Sequence, residues 1–409
     1  MNTRDLAILE KLEKELSLKE LQIKSLLTIT QAINDNISAE GLYGMYQNFL
    51  SWDMGITIMV LFVKSQEQQW ENVANINYKK ASSKKLMTEL LRFDRLHTIK
   101  EEDPELLQAF DIIIPVFHKK DPIAYSIIGG IRNREDLYNK IQFITTITNI
   151  VAVALENKRL FKRKIEQERL NKEIEVASDV QKMLIPESFP SYDNYQLAGI
   201  YKPHSNIGGD YLDYIEFDKN KFAFCIADIS GKGVPAALLM ANFQAMIQSL
   251  IYQYRDLETF VLALNESVYR ITKSDKFITF FIAQIDIKKS TLRYINAGHY
   301  PPILYSNGKI KRLKSGCTVI GAFDKLPSIE EETIDLNGET LILSFTDGLA
   351  DLRNADDEFF EDEKIENFVI RHADLGVDGF NEKLLEEINS FKGDSTYVDD
   401  IAILTCKIK

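Results

Sequence analysis

Three apolar runs in this chain meet aspartate at one end, and a fourth aspartate stands behind paired glycines. "KFAFCIAD" closes on Asp228, "TLILSFTD" closes on Asp347, "VDDIAIL" opens from Asp399, and "NIGGDYLD" sets Asp210 behind paired glycines. A lone carboxylate at the end of a buried strand is costly unless it is paired, hydrogen-bonded or bound to a metal. Asp228 follows Phe222, Phe224 and Ile226 and meets no cation before Lys232. Taken singly, each motif is a tight turn with an aspartate as cap or turn residue. Taken together, the repeated grammar predicts one shared centre to which distant strands deliver their ends. Carboxylates converging there would repel one another unless cations lay between them, and oxygen-only ligands point to Mg²⁺ or Mn²⁺ rather than zinc.

The glycines of "IGGD" and "SGKG" allow positive φ and close backbone approach to an ion or phosphate. Pro235 suits the first turn of the helix that follows. From residue 190 onward, aromatic and β-branched runs bounded by turn residues predict strands, among them "FITFFIAQID" and "TLRYINAG". Asn307-Gly308 in "PPILYSNGKIKRL" predicts a type I′ hairpin. A helix is expected over 235–252 with an apolar face of Ala236, Leu239, Phe243, Met246 and Leu250. Hairpin-linked strands covered by helices predict a two-sheet sandwich flanked by helices.

The N-terminal part has a different texture. Residues 1–34 predict a helix in which Leu9, Leu12, Leu16, Ile23 and Leu26 follow 3-4 spacing, with Lys19 in the vacant seam position. That pattern fits either an amphipathic helix packed on its own domain or a short parallel coiled coil. Residues 35–157 alternate helix and strand signals, with strands in "GITIMVLFV" and in "DIIIPVFHKKDPIAYSIIGGI". A long helical pattern starts near Glu135 and runs without Pro or Gly to Pro186. Within it, residues 158–189 form the linker. Leu160, Leu170, Ile174, Ala177 and Leu184 fall on one heptad seam, with Arg163, Gln167 and Gln181 at its other positions. Such a seam fits a parallel homodimer whose linker controls the C-terminal domain; a solvated spacer helix is the alternative.

At 409 residues the chain exceeds what one core usually supports, so two principal domains are expected. A net charge of −12 disfavours broad nucleic-acid binding. Cys225, Cys317 and Cys406 form no C-x-x-C pair, which reads as a reducing compartment. No basic-then-apolar leader opens the chain, and its most apolar stretches are too short or too interrupted to span a bilayer. A cytoplasmic protein without membrane insertion is the expectation. The five histidines are scattered, which argues against a histidine zinc site. His299 in "AGHYPP" reads as a structural loop residue rather than a general acid.

Residues 35–157 resemble a GAF domain, a small sensory α/β fold, through the strand pair around "IIIPV" and "SIIGGI" and the closing helix "FITTITNIVAVALENKRLF"; a PAS domain is the rival. The absence of cysteine in this half means that any small-molecule ligand there binds non-covalently. From about residue 170 to the end, the chain resembles the SpoIIE/RsbU branch of the PPM-type protein phosphatases. The matching stretches are "VQKMLIPESFP", "KPHSNIGGDYLD", "FCIADISGKGVPAALLMA", "FITFFIAQID", "INAGHYPPILY", "LILSFTDGLADLRN" and "VDDIAIL", in family order.

The resemblance implies an α+β multidomain protein: an N-terminal helix (1–34), a GAF-like sensor (35–157), a coiled-coil linker (158–189) and a PPM-type β-sandwich flanked by helices (190–409). It implies two Mn²⁺ or Mg²⁺ ions bound by Asp210, Asp228, Asp347, Asp399 and the backbone carbonyl of Ile229. Asp228 and Asp347 would serve catalysis through a metal-bridging water, whose pKa falls from 15.7 toward about 7. The implied substrate is a phosphorylated STAS-domain regulator of the anti-anti-sigma type. Departures from the family pattern are Lys232 for a common His, Asp351 for Glu, Glu361 for Gly and Ala402 for Thr. The alternatives are a non-catalytic phosphoprotein-binding module and a ligand sensor whose output is assembly alone.

Overall fold

In the computed structural model, residues 3–65, 69–78, 83–131, 137–204, 206–254, 256–393 and 395–409 are described. Packing divides the chain between Glu168 and Arg169 into two units. The first opens with α1 (Thr3–Asn34) and α2 (Ala39–Asn48). Ser38 caps α2, its Oγ accepting from the Gly41 N–H at 3.1 Å. Then come β1 (Ile58–Lys64), β2 (Trp70–Ile76), α3 (Ser83–Leu90), β3 (His97–Thr98), β4 (Ile112–His118) and β5 (Asp121–Gly129). The strands make one antiparallel sheet in the order β2-β1-β5-β4-β3.

The run of β1 is apolar from Ile58 to Val63 because both its faces are covered. Met59 and Leu61 pack with Ile29, Tyr46, Leu50 and Ile147 on one side, while Val60 and Phe62 meet Leu86, Leu90 and Phe110 on the other. A buried polar knot beside this sheet is satisfied internally. The Tyr46 hydroxyl lies 2.9 Å from Ser126 Oγ and 2.6 Å from Thr148 Oγ1. Helix α4 (Leu137–Lys182) follows; Glu135, where the helical pattern was expected to begin, lies outside the described residues.

The second unit contains β6 (Tyr195–Lys202), β7 (Tyr211–Asp218), β8 (Lys221–Ile229), α5 (Val234–Leu250), α6 (Leu257–Thr272), β9 (Ile278–Asp286) and β10 (Thr291–Ala297). It continues through β11 (Ile303–Ser306), β12 (Lys309–Arg312), β13 (Gly316–Cys317), β14 (Glu332–Asp335) and β15 (Thr340–Phe345). It closes with α7 (Asp347–Ala350), α8 (Asp362–His372), α9 (Val377–Lys392) and β16 (Ile401–Ile408). One sheet runs β13-β10-β9-β8-β7, with β14 also on β10, and the other runs β12-β11-β15-β16-β6. Between them lies a core of Phe222, Phe224, Ile226 and Phe281 against Leu197, Ile342, Leu404 and Cys406.

Helices cover both outer faces. Phe280 and Ala227 meet α5 and α6 through Phe243, Phe260 and Leu264, while Leu343 and Ile403 meet α8 and α9 through Phe368, Phe380 and Leu384. The four-layer sandwich agrees with the sequence expectation, as does the 307–308 turn, where Asn307 and Gly308 have φ of +51° and +73°. The expected face of α5 is rotated. Ala236, Met240, Phe243 and Ile247 are the buried set, with Leu239, Met246 and Leu250 at the margin. An evenly apolar helix offers several candidate faces, and the facing sheet selects among them. Among the described residues, no helix is long and apolar enough to cross a membrane.

Candidate metal centre

Sheet register brings the four aspartates together. Pairing of Tyr211 with Ala227 sets Asp210, just before β7, beside Asp228 near the end of β8. In the other sheet Phe345 pairs with Ile403, so the start of α7 at Asp347 lies beside the Asp399-Asp400 entry to β16. Two glycines permit the close approach. A Cβ at Gly348 would collide with the Asp400 carbonyl, and one at Gly209 would lie 3.0 Å from the Ile229 carbonyl oxygen. That oxygen therefore faces the glycine immediately before Asp210.

A hydrogen-bond relay ties the two sheets at this edge. The Ala402 N–H donates to Thr346 Oγ1 at 2.9 Å, and Thr346 Oγ1 donates to Asp210 Oδ2 at 2.7 Å. Asp400 works alongside it, its two oxygens accepting from the His204 N–H at 2.7 Å and the Gly209 N–H at 2.6 Å. Asp400 thus fixes the loop that presents Asp210. Lys232, in the "SGKG" turn, pairs with Asp399 at 2.8 Å and donates to the Val398 carbonyl at 3.2 Å.

The electrostatics are those of crowded acids. Burial, followed by the charge of Asp228, holds Asp210 well above the usual carboxylate range, and Thr346 opposes only part of that shift. Burial and then Asp347 and Asp399 push Asp228 up to about 7. Asp347 is raised by burial and by Asp351, with Gly348 and Lys232 acting against the shift. Among the described residues, no three carboxylate, imidazole or thiol side chains close into a finished coordination shell. What converges instead is an all-oxygen set whose members repel one another, together with an inward-facing carbonyl. That donor chemistry fits hard divalent cations of the Mg²⁺ or Mn²⁺ class.

His299 lies apart from this role. It is buried, its Nδ1 pairs with Thr279 Oγ1 at 2.9 Å, and its N–H donates to Asn296 Oδ1 at 2.8 Å. Burial pushes it down to about 4, so it is a neutral structural residue at ordinary pH.

Three participants escaped the sequence reading. Thr346 and Asp400 act through partners that only the strand register identifies. Gln181, read as a polar seam position, is buried in the second unit: its Nε2 donates to the Gly208 carbonyl at 2.6 Å, and Gly208 N–H donates to its Oε1 at 3.1 Å. Ser178 and Ile185 are buried on the same side, whereas Ala177 is exposed and Leu184 only half-buried. Of the seam residues at this end of α4, Gln181 is the one buried against its own domain. Its one possible sequence signal was the adjacency of "VQKMLIP" to the sandwich.

Residues 218–409 match the family model "Stage II sporulation protein E (SpoIIE)". The phosphoserine phosphatase RsbU of Bacillus subtilis is 27% identical over 240 residues, covering 58% of this chain and 70% of that protein. The phosphoserine phosphatase RsbP of the same organism is 25% identical over 252 residues, covering 60% of each. Among solved structures, the SiaA-PP2C domain of Pseudomonas aeruginosa superposes with a TM-score of 0.54 at 20% identity, over 60% of this chain and 99% of that one, a likeness of fold. With its sandwich, its converging carboxylates and its matching sequence, the C-terminal part of this chain is a SpoIIE/RsbU-type phosphatase domain of the PPM class.

Proposed function

We propose that the chain is a sensor-controlled, metal-dependent phosphatase of phosphoserine and phosphothreonine in proteins, with a phosphorylated STAS-type regulator as substrate. The observation that carries this reading is the convergence of Asp210, Asp228, Asp347 and Asp399 from two sheets onto one edge, with Asp210 and Asp228 raised first by burial and then by the charge of neighbouring aspartates. Asp210, Asp228, Asp347, Asp399 and the Ile229 carbonyl would hold two Mn²⁺ or Mg²⁺ ions. Such ions supply an acidified water and neutralise charge on the phosphoryl oxygens.

The chain's own residues do the positioning. Thr346 and Asp400 fix Asp210 and its loop, so the carboxylate is oriented before any ion arrives. Lys232 meanwhile holds Asp399 from the solvent side. Buried Cys225 and Cys406 are raised by desolvation and serve no nucleophilic role.

The first unit fits a GAF- or PAS-like sensor, a five-stranded antiparallel sheet with helices on both faces. A groove of about 820 Å³ there, lined by Tyr43, Val73, Leu155 and Arg159 among others, suits a ligand held without a covalent bond. Homodimerisation through the helical segments belongs to the same proposal. Hydrolysis of a phosphoserine peptide with added Mn²⁺, and its loss in Asp347→Asn, tests the core of the reading. Undiminished turnover in excess chelator would refute it.

A further inference from the structure

Lys276 stands two residues before β9, and its neighbour Phe277 is tied to the loop that follows Asp228. The Phe277 N–H donates to Ser230 Oγ at 2.9 Å, and the Ser230 N–H donates to the Phe277 carbonyl at 3.0 Å. The ladder pairs Asp228 with Thr279 and Ile229 with Ile278, so its continuation brings Lys276 beside Gly231. The ammonium rests against that glycine: a Cβ at Gly231 would lie 3.1 Å from Lys276 Nζ. Gly231 adopts φ of +105°, which only glycine takes up readily, and leaves the ammonium unscreened by any side chain there.

The charge of Lys276 is unspent. Among the described residues, no ion pair or side-chain hydrogen bond engages its ammonium, whereas Lys232, next to Gly231, is paired with Asp399 at 2.8 Å. In a chain with a net charge of −12, carboxylate partners abound. An ammonium resting on the loop that follows Asp228, yet paired with none of the acids, is available to an incoming anion.

We propose that Lys276 binds an anionic oxygen of the phosphorylated substrate at the rim of the aspartate centre; this rests on the phosphatase reading. The oxygen belongs either to the phosphoryl group or to a carboxylate flanking the phosphoserine. A lysine suits both, being a compact charge on a flexible stem. A rim contact made equally in the bound substrate and in the transition state strengthens capture without speeding the chemical step. Its loss therefore raises KM and leaves kcat nearly unchanged.

The test compares the full-length chain with Lys276→Met and Lys276→Arg in Mn²⁺. Three substrates are used: p-nitrophenyl phosphate, a phosphoserine peptide with neutral flanks, and one with acidic flanks. Lys276→Met should raise KM about tenfold with kcat within about twofold, and Lys276→Arg should restore most of the loss. A rise on all three substrates assigns the phosphoryl oxygen; a rise confined to the acidic peptide assigns the flanking carboxylate. Unchanged KM on all three, or an equal fall in kcat for both variants, overturns the proposal. Peptide binding followed by fluorescence anisotropy separates the two readings. If the wild-type chain turns over none of the substrates yet binds the phosphopeptides through Lys276, the phosphatase reading fails and the Lys276 contact stands.

Discussion

Gln181 and Gly208 exchange two hydrogen bonds, side-chain amide to backbone in both directions, at 2.6 and 3.1 Å. The pair is buried and joins the C-terminal turn of α4 to the loop that carries Asp210, two residues downstream. A carboxamide can satisfy a peptide group in this reciprocal way because it presents a donor and an acceptor side by side. Through it, the position of the helix end and the position of a candidate metal ligand are one structural variable.

Gln181→Leu should therefore act on the centre, not on a seam between helices. The leucine leaves the Gly208 N–H and carbonyl without these partners, at a cost of about 1–3 kcal/mol. Mn²⁺ affinity, read by calorimetric titration, should fall roughly tenfold or more, as for other residues that orient a ligand from behind. Unchanged affinity with unchanged thermal stability would show that the loop holds itself.

How much of this was legible in the sequence depends on the range of the interaction. Asp228 and Asp347 announce themselves locally, each closing an apolar run whose burial a carboxylate would otherwise spoil. Asp399 and Asp210 became readable only as members of the set. The relay Ala402–Thr346–Asp210 was not legible, since it depends on Phe345 facing Ile403 in one sheet and on contact with the other. Gln181 was misread for a related reason: a 3-4 pattern records that a helix face is covered, not what covers it. The face of α5 slipped by one position because its composition is apolar nearly all round.

The raised acids give the metal-free domain a pH signature. Asp228 titrates at about 7 when folded and near 3.9 when unfolded, so the folded chain binds more protons between those values. Stability from this group is full below about pH 4 and is lost as pH rises toward 7. In chelator, Asp228→Asn should gain thermal stability over wild type, and the gain should widen between pH 5 and pH 7.5. Paired melting curves across that range measure it; a constant difference would refute the assignment of the shift to Asp228. Turnover should be lost in the same variant.

His299 carries the opposite sign. Its folded value of about 4 lies below the unfolded value of about 6.5, so the unfolded chain binds more protons between them. Stability is full above pH 6.5 and falls as pH drops toward 4, by about 3 kcal/mol in total. Replacing His299 with Gln should lower the midpoint at pH 7.5 but flatten the dependence between pH 6.5 and pH 4.5. The pH profile of kcat above pH 6 should keep its shape in the variant, because a buried imidazole that is already neutral in this range changes no charge during the reaction.

The proposed homodimer can be tested on a face of α4 that the phosphatase unit leaves bare. Val176, Val180 and Met183 are 60, 55 and 77% exposed, spaced four and three residues apart, while Ser178, Gln181 and Ile185 turn inward. An exposed apolar row at that spacing is what a paired helix requires, and it runs on a different side from the docked residues. In a parallel pair each position meets its own copy, so Val180→Glu would set two like charges across the seam. The variant should sediment as a monomer at concentrations where the wild-type chain is a dimer. Its phosphatase unit should melt within about 0.5 kcal/mol of wild type, since the substituted side chain is a surface one. Gln181→Leu, one residue away on the docked side, should do the reverse, weakening the unit while leaving the dimer intact. A chain that dimerises equally well with Val180→Glu would remove this row from the interface.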